Sequence, residues 1–435
     1  MKRLVKAVAA SAVALSIAHG ASAQSTYGCE DLDGFHSLPS VEGTEGVFYR
    51  VNPELRNFHP FSDETVEDVA RLASELQQFG TTLVYVPVPP KAMVMTENLP
   101  RRAYDYGFNP DLAATVYDDM IKRLRDAGVV VADARKALNQ GSRGVGAPYF
   151  KADYRINALG AQLIAQSVAE ALAGTTQMAA PMARAPMPVM GGGEVELDSD
   201  MRNVLQRHCL IDLPKDMVAT FQTPQMQTAN APASGFGGSL GPRIALVGTE
   251  YSATPGVNFA GALQQATGMN VSQLSIPGGG AYGAFTAYVT STEFQQSRPT
   301  VIVWENPVYN NLAQFGDQPM REIIAASGSG CRIPLMIQAG LQDNTARAEL
   351  AGLDPNVAYT LYLDTDGTAA GEARFTFHSA QGFKRTKTVT RADTAGRTGR
   401  FFMPLSGLWA DGARFVDIEL DQPFNGTPRL AACFY

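Results

Sequence analysis

The sequence predicts an α/β domain built on a parallel sheet, followed by a C-terminal all-β sandwich. Three observations carry that expectation. Apolar runs of strand length alternate with helical periodicity as far as "TVIVWENP" (300–307). After Cys331 the texture changes to short alternating strands punctuated by Gly, Asp and Pro. The chain has 435 residues, 45% hydrophobic and only 18% charged, enough to fill more than one core.

The elements follow in order. Lys2, Arg3 and Lys6, the apolar run "AVAASAVALSIA" and the small residues "ASA" at 21–23 have the layout of a secretory signal peptide, so residues 1–23 are expected to be removed on export. The apolar run is shorter than the ~20 residues that span a bilayer. Strand-like "TTLVYVPVP" (81–89) precedes a helix at 110–128, then "VVVADA" (129–134) and a second helix over 158–174. After an interruption, "RIALVGT" (243–249) reads as a strand, 258–268 as a short helix and 300–307 as another buried strand. Two Pro-, Met-, Ala- and Gly-rich stretches without periodicity, 174–196 and 222–242, read as flexible insertions. "AYTLYLDTD", "EARFTFHSA", "GRFFMPL" and "ARFVDIEL" are the strands of the sandwich, with the boundary near 326–331, giving units of 24–328 and 329–435.

Export makes the cysteines interpretable, because an oxidising compartment lets pairs persist. Cys29, Cys209, Cys331 and Cys433 allow three connectivities. Pairing Cys29 with Cys209 and Cys331 with Cys433 staples each unit separately and is the expected pattern. The absence of a CxxC or Cys/His cluster predicts no metal, no sequence feature suggests a cofactor, and a net charge of -7 argues against nucleic acid as a partner.

Chemistry is restricted by a shortage of histidine. Without the signal segment, His36, His59, His208 and His378 remain, none inside a catalytic motif. A serine nucleophile ordinarily needs such a base. Three segments nonetheless look like catalytic scaffolding. "KADYRINALGAQ" (151–162) places Asp153 and Arg155 just ahead of a helix, with Asn157 as its N-cap. "LVGTEYS" places Glu250 on a strand-to-helix turn, where backbone N–H groups can meet an anion. "SIPGGGAYGAF" carries Gly278, Gly279 and Gly280, whose backbone can approach a ligand closely as an oxyanion loop.

The order and spacing of these parts resemble the AlgX/AlgJ-like alginate O-acetyltransferase family. The likeness extends over "FYRVNPELRNF", "YVPVPPK", the cysteine brackets, "GTEYSATPGVNFAGAL", "VIVWENP" and the C-terminal module. It implies an SGNH-hydrolase-like fold, a carbohydrate-binding β-module, a periplasmic location and a role in exopolysaccharide biosynthesis. In that family Asp-x-His-Trp-Thr-x-x-Gly supplies acid and base, and Gly-Thr-Ser-Tyr-Ser supplies the nucleophile. Asp153 falls on the aspartate, seven residues before Gly160, while Arg155 falls on the histidine and Asn157 on the threonine. Gly248, Thr249, Tyr251 and Ser252 match the second motif, but Glu250 stands at its first serine.

Two of three triad positions are therefore replaced, and losing either a triad serine or its histidine costs on the order of 10⁶ in rate. Arg155 and Glu250 are opposite in sign, which predicts an ion pair across the emptied site. An arginine beside the two carboxylates Asp153 and Glu250 also argues against glycosidase chemistry. In the β-module, "GFKRTKTVTRADTAGRTGRFF" carries Phe383, Lys384, Arg385, Lys387, Arg391, Arg397 and Arg400 against a single acid, Asp393. Arginine forks match carboxylates, and Phe383 or Trp409 offers a sugar an apolar face. The leading expectation is a catalytically impaired member that binds an acidic, alginate-like polysaccharide during acetylation and export. An active O-acetyltransferase with altered groups and a protein-binding subunit of a secretion complex are the alternatives.

Overall fold

The structure is a computed structural model that describes residues 25–175, 190–222, 243–314, 316–328 and 330–434. The expected signal segment at 1–23, most of the first insertion and nearly all of the second lie outside the described residues.

The first part of the chain is organised by a five-stranded parallel sheet. Its order is Val130–Val131, Thr82–Val88, Val301–Pro307, Arg243–Gly248, Asn270–Ser275. Thr82–Val88 and Val301–Pro307 are buried at every position, as strands covered on both faces must be. Their Val, Ile, Leu and aromatic side chains form one core with the helices Asp63–Gln77, Pro110–Asp126 and Ala158–Ala173. Asn109 and Asn157 cap two of these helices, Asn157 by accepting from Gly160 N at 3.1 Å.

Sequence periodicity located the two buried strands and the helices Pro110–Asp126 and Ala158–Ala173 to within two residues, did not read the helix Asp63–Gln77, and differs elsewhere for physical reasons. "VVVADA" contributes only a two-residue edge strand before the helix Ala134–Gly141 begins. Asn270–Ser275 went unread because it is a partly exposed edge strand with little apolar character. The end of the first insertion is not a loop: Met190–Glu196 pairs antiparallel with Met217–Gln222, and Val218 packs over the turn at Gly256.

The second part is a sandwich of two antiparallel sheets. One has the order Cys331–Leu335, Arg429–Phe434, Tyr359–Asp364, Arg400–Pro404. The other has Ile337–Ala339, Thr345–Glu349, Phe415–Leu420, Glu372–His378, Lys384–Thr390. Leu361, Leu363, Phe375, Phe377, Val416 and Ile418 fill the space between them. The disulfides are Cys29–Cys209 and Cys331–Cys433, one in each half. The halves are joined by a buried contact at the helix Gln318–Ser327. There the Glu322 carboxylate accepts from Arg391 and from Phe402 N, while Arg400 donates to Thr290 O at 2.8 Å.

Candidate functional site

The parallel strands end together, and the loops leaving their C-terminal edge place the candidate residues, as expected for an open α/β sheet. Arg243–Gly248 runs into the turn Glu250–Ala253, capped by Thr249, whose Oγ1 accepts from Tyr251 N at 3.3 Å. Tyr251 and Ser252 point inward, whereas Glu250 stays partly exposed. Gly248 leaves little room for a side chain. A Cβ there would stand 2.3 Å from Ser252 Oγ and 2.5 Å from Glu305 Oε2.

On the facing side, the segment around Asp153 is tied down before its helix starts. The Lys91 ammonium, itself buried, donates to Phe150 O, Lys151 O and Asp153 O at 3.2, 3.1 and 2.7 Å. Burial holds this lysine's pKa below its ordinary value. Asp216 accepts from Lys151 N and Ala152 N, both at 3.2 Å.

Asp153 is 1% exposed, and Arg155 clamps it bidentately. Nε lies 2.8 Å from Oδ1 and Nη2 lies 2.9 Å from Oδ2, while Ser199 Oγ donates to Oδ2 at 2.6 Å. Burial alone would raise the Asp153 pKa, but Arg155 and Ser199 outweigh it and hold the carboxyl below the usual carboxylate range. Arg155 Nη1 reaches Thr254 Oγ1 at 3.3 Å, and Thr254 in turn donates to Glu250 O at 2.6 Å.

The expected ion pair between Arg155 and Glu250 is therefore not formed. The guanidinium pairs with Asp153, two residues away, because that carboxylate is buried and must be compensated, whereas water can solvate Glu250. The Glu250 side chain instead accepts from Tyr154 Oη at 3.3 Å and from Gly278 N at 3.5 Å. Gly278 has φ 71°, a left-handed conformation that suits glycine. Its amide thus meets the Glu250 carboxylate, while the Gly279 amide is committed to Ile276 O at 3.0 Å.

Arg50 lies over the Tyr154 ring at 3.7 Å, with Tyr309 on it at 5.0 Å, and Tyr251 Oη donates to Tyr154 O at 3.2 Å. Among the described residues no imidazole bonds to Asp153, Glu250 or Ser252. Burial pushes the His59 pKa down to about 4, and His378 pairs with Asp417 at 2.9 Å.

Sequence reasoning missed Glu305, which is fully buried at the floor of the turn. Its carboxylate accepts from Thr249 N at 2.8 Å, Thr249 Oγ1 at 2.9 Å, Ser252 Oγ at 2.8 Å and Ser252 N at 3.3 Å. A signal for it existed, because an acid follows directly on the apolar run "VIVW" of the strand. Lys91 and Ser199 carried no such signal, since only the fold brings them to Asp153.

The basic stretch of the β-module is a strand, Lys384–Thr390, at a sheet edge, and strand alternation divides it. Lys384, Thr386 and Thr388 sit opposite His378, Thr376 and Arg374, while Arg385, Lys387 and Val389 share the face of the core residues Phe377, Phe375 and Ala373. Lys387 donates to Pro404 O and Ser406 O at 3.2 and 2.6 Å. Arg385 donates to Gly407 O with its guanidinium 5.2 Å from the Trp409 ring centroid, and Trp409 lines an open cleft with Leu353, Pro355 and Tyr359. Arg391 is no surface residue: its side chain is 9% exposed and paired with Glu322. Arg397 pairs with Asp393 and Arg400 faces the other half of the chain. Phe383, Lys384 and Arg385 remain exposed together at one end of this edge.

A parallel sheet with an elbow turn, a glycine loop and an aspartate loop at its carboxyl edge, followed by a sandwich, defines an SGNH-hydrolase-like domain carrying a β-module. The chain belongs to the family described as "SGNH hydrolase-like domain, acetyltransferase AlgX", whose model matches residues 43–308. It is similar to alginate biosynthesis protein AlgX of Pseudomonas aeruginosa, with 27% identity over 415 residues covering 93% of this chain and 84% of that one. Probable alginate O-acetylase AlgJ of the same organism is 29% identical over 294 residues, covering 62% of this chain and 72% of the other. The solved structure of P. aeruginosa AlgX shares the fold at a TM-score of 0.74 and 23% identity, covering 91% of this chain and 94% of that chain.

Proposed function

We propose that this chain acts in the periplasm, in alginate or related exopolysaccharide biosynthesis, as a polysaccharide-binding family member whose acyl-transfer site is catalytically impaired. The observation that carries the reading is the occupancy of the elbow. Glu250 falls where the family resemblance sets the nucleophile and accepts from Gly278 N, while Arg155 is locked on Asp153 and, among the described residues, no histidine hydrogen-bonds to either. A carboxylate at that position repels a developing oxyanion instead of stabilising it. The exposed Phe383, Lys384 and Arg385 supply an aromatic face and cationic groups for a polyuronate. Partners in an export complex fit the same role.

A second reading, surviving acetyl transfer, is favoured by one contact, Ser252 Oγ at 2.8 Å from Glu305. Ser252 is only 3% exposed, which leaves little room for an acyl donor. The purified protein mixed with an activated acetyl ester and a mannuronate oligomer separates the readings. Uronate binding without leaving-group release is expected. Turnover lost in Ser252→Ala would establish the second reading. A folded protein that binds no uronate would favour a purely protein-binding subunit.

A further inference from the structure

Glu305 has more structure around it than a buried acid in a core needs. Four donors from two residues converge on its carboxylate, and those residues, Thr249 and Ser252, flank Glu250 on the turn. Two donors are backbone amides and cannot reverse; two are hydroxyls and can.

One hydroxyl continues outward. Ser252 Oγ lies 2.8 Å from Ser275 Oγ, which accepts from the exposed Gln273 Nε2 at 3.2 Å. A fully buried carboxyl is thereby linked by a chain of hydroxyls to the solvent edge of the sheet at Asn270–Ser275. We infer that Glu305 is a proton-responsive positioning residue, which holds the Glu250 turn through Thr249 and Ser252 and exchanges its proton with solvent through Ser252 and Ser275.

Ionised, Glu305 accepts from both amides and both hydroxyls and fixes the turn. On protonation the Ser252 hydroxyl reverses: Glu305 donates to Ser252 Oγ, Ser252 donates to Ser275 Oγ, and one proton enters from solvent. The Glu305 carboxyl is then neutral and binds the Thr249 and Ser252 amides less strongly, since charge-assisted hydrogen bonds are roughly twice as strong as neutral ones. Burial is the main cause pushing the Glu305 pKa up to about 7, with Glu250 adding to it; Tyr85 on Thr82–Val88 is the other titratable group coupled to it. The device works whether or not acyl transfer survives.

Difference infrared spectroscopy on the full chain, combined with hydrogen exchange of the segment 244–256, tests it. The expected result is a buried carboxylic-acid band that vanishes with a midpoint near pH 7. Over the same range, exchange in 244–256 through local opening of the turn with Glu305 still buried, corrected for intrinsic rate, should slow several-fold, because that opening loses the charge-assisted bonds, while global unfolding, which solvates Glu305, becomes easier. Both changes should be absent in Glu305→Gln. In Ser252→Ala, which removes a donor to the charged form and serves if Glu305→Gln does not fold, the midpoint should move upward. A band that does not depend on Glu305, a titration that leaves exchange in 244–256 unchanged, or an unmoved midpoint in Ser252→Ala would overturn the inference.

Discussion

Arg155 and Glu250 are the two positions that the family resemblance sets against a triad's histidine and serine, and their surroundings give them different weights. Arg155 compensates a carboxylate that is 1% exposed, so Arg155→Ala leaves an unpaired buried charge and should cost about 3 kcal/mol in denaturant unfolding. Glu250 is partly exposed and makes two long contacts, so Glu250→Ala should change stability by less than about 1 kcal/mol. Glu305 adds a pH dependence. Its folded pKa, about 7, lies above the ordinary glutamate value, so between pH ~4.5 and ~7 the folded state binds the extra proton and stability falls as pH rises. The drop is on the order of 3 kcal/mol. His59, held near 4 by burial, acts in the opposite direction below about pH 6.5, so the difference between wild type and Glu305→Gln isolates the glutamate. Arg155 and Glu250 stood out in the sequence because the motif spacing singles them out. Their partners did not, because spacing does not say which carboxylate a guanidinium will choose; burial decides that.

The turn after Arg243–Gly248 is the element on which the site depends, and Gly248 is its tightest point. Gly248→Ala puts a methyl group against Ser252 Oγ and Glu305 Oε2 and should destabilise by roughly 1–3 kcal/mol, with loosened exchange in the turn. Buried strands such as Thr82–Val88 and Val301–Pro307 were legible because both faces are covered and the runs are mainly apolar. Asn270–Ser275 and Lys384–Thr390 were not, since edge strands carry polar or charged residues on purpose of staying soluble and unpaired. That misreading merged core-side and solvent-side cations into one basic surface.

Across the whole molecule, the two halves share a buried ion pair, so their stabilities should be coupled. Glu322→Ala strands Arg391 and unsatisfies Phe402 N, and should cost about 3–5 kcal/mol in unfolding. Polyuronate binding should weaken as salt is raised, because exposed cations are screened, and Lys384→Glu combined with Arg385→Glu should reduce affinity by about tenfold or more. The central claim of the proposed function is that the elbow carries no working nucleophile. Intact-mass analysis after exposure to an activated acetyl ester tests it most directly, on the wild type, on Glu250→Ala, and on Glu250→Ser combined with Arg155→His. The account predicts no acetyl adduct on the wild type and an adduct at position 250 in the double variant. An acetyl adduct on the wild type that disappears in Glu250→Ala would contradict it.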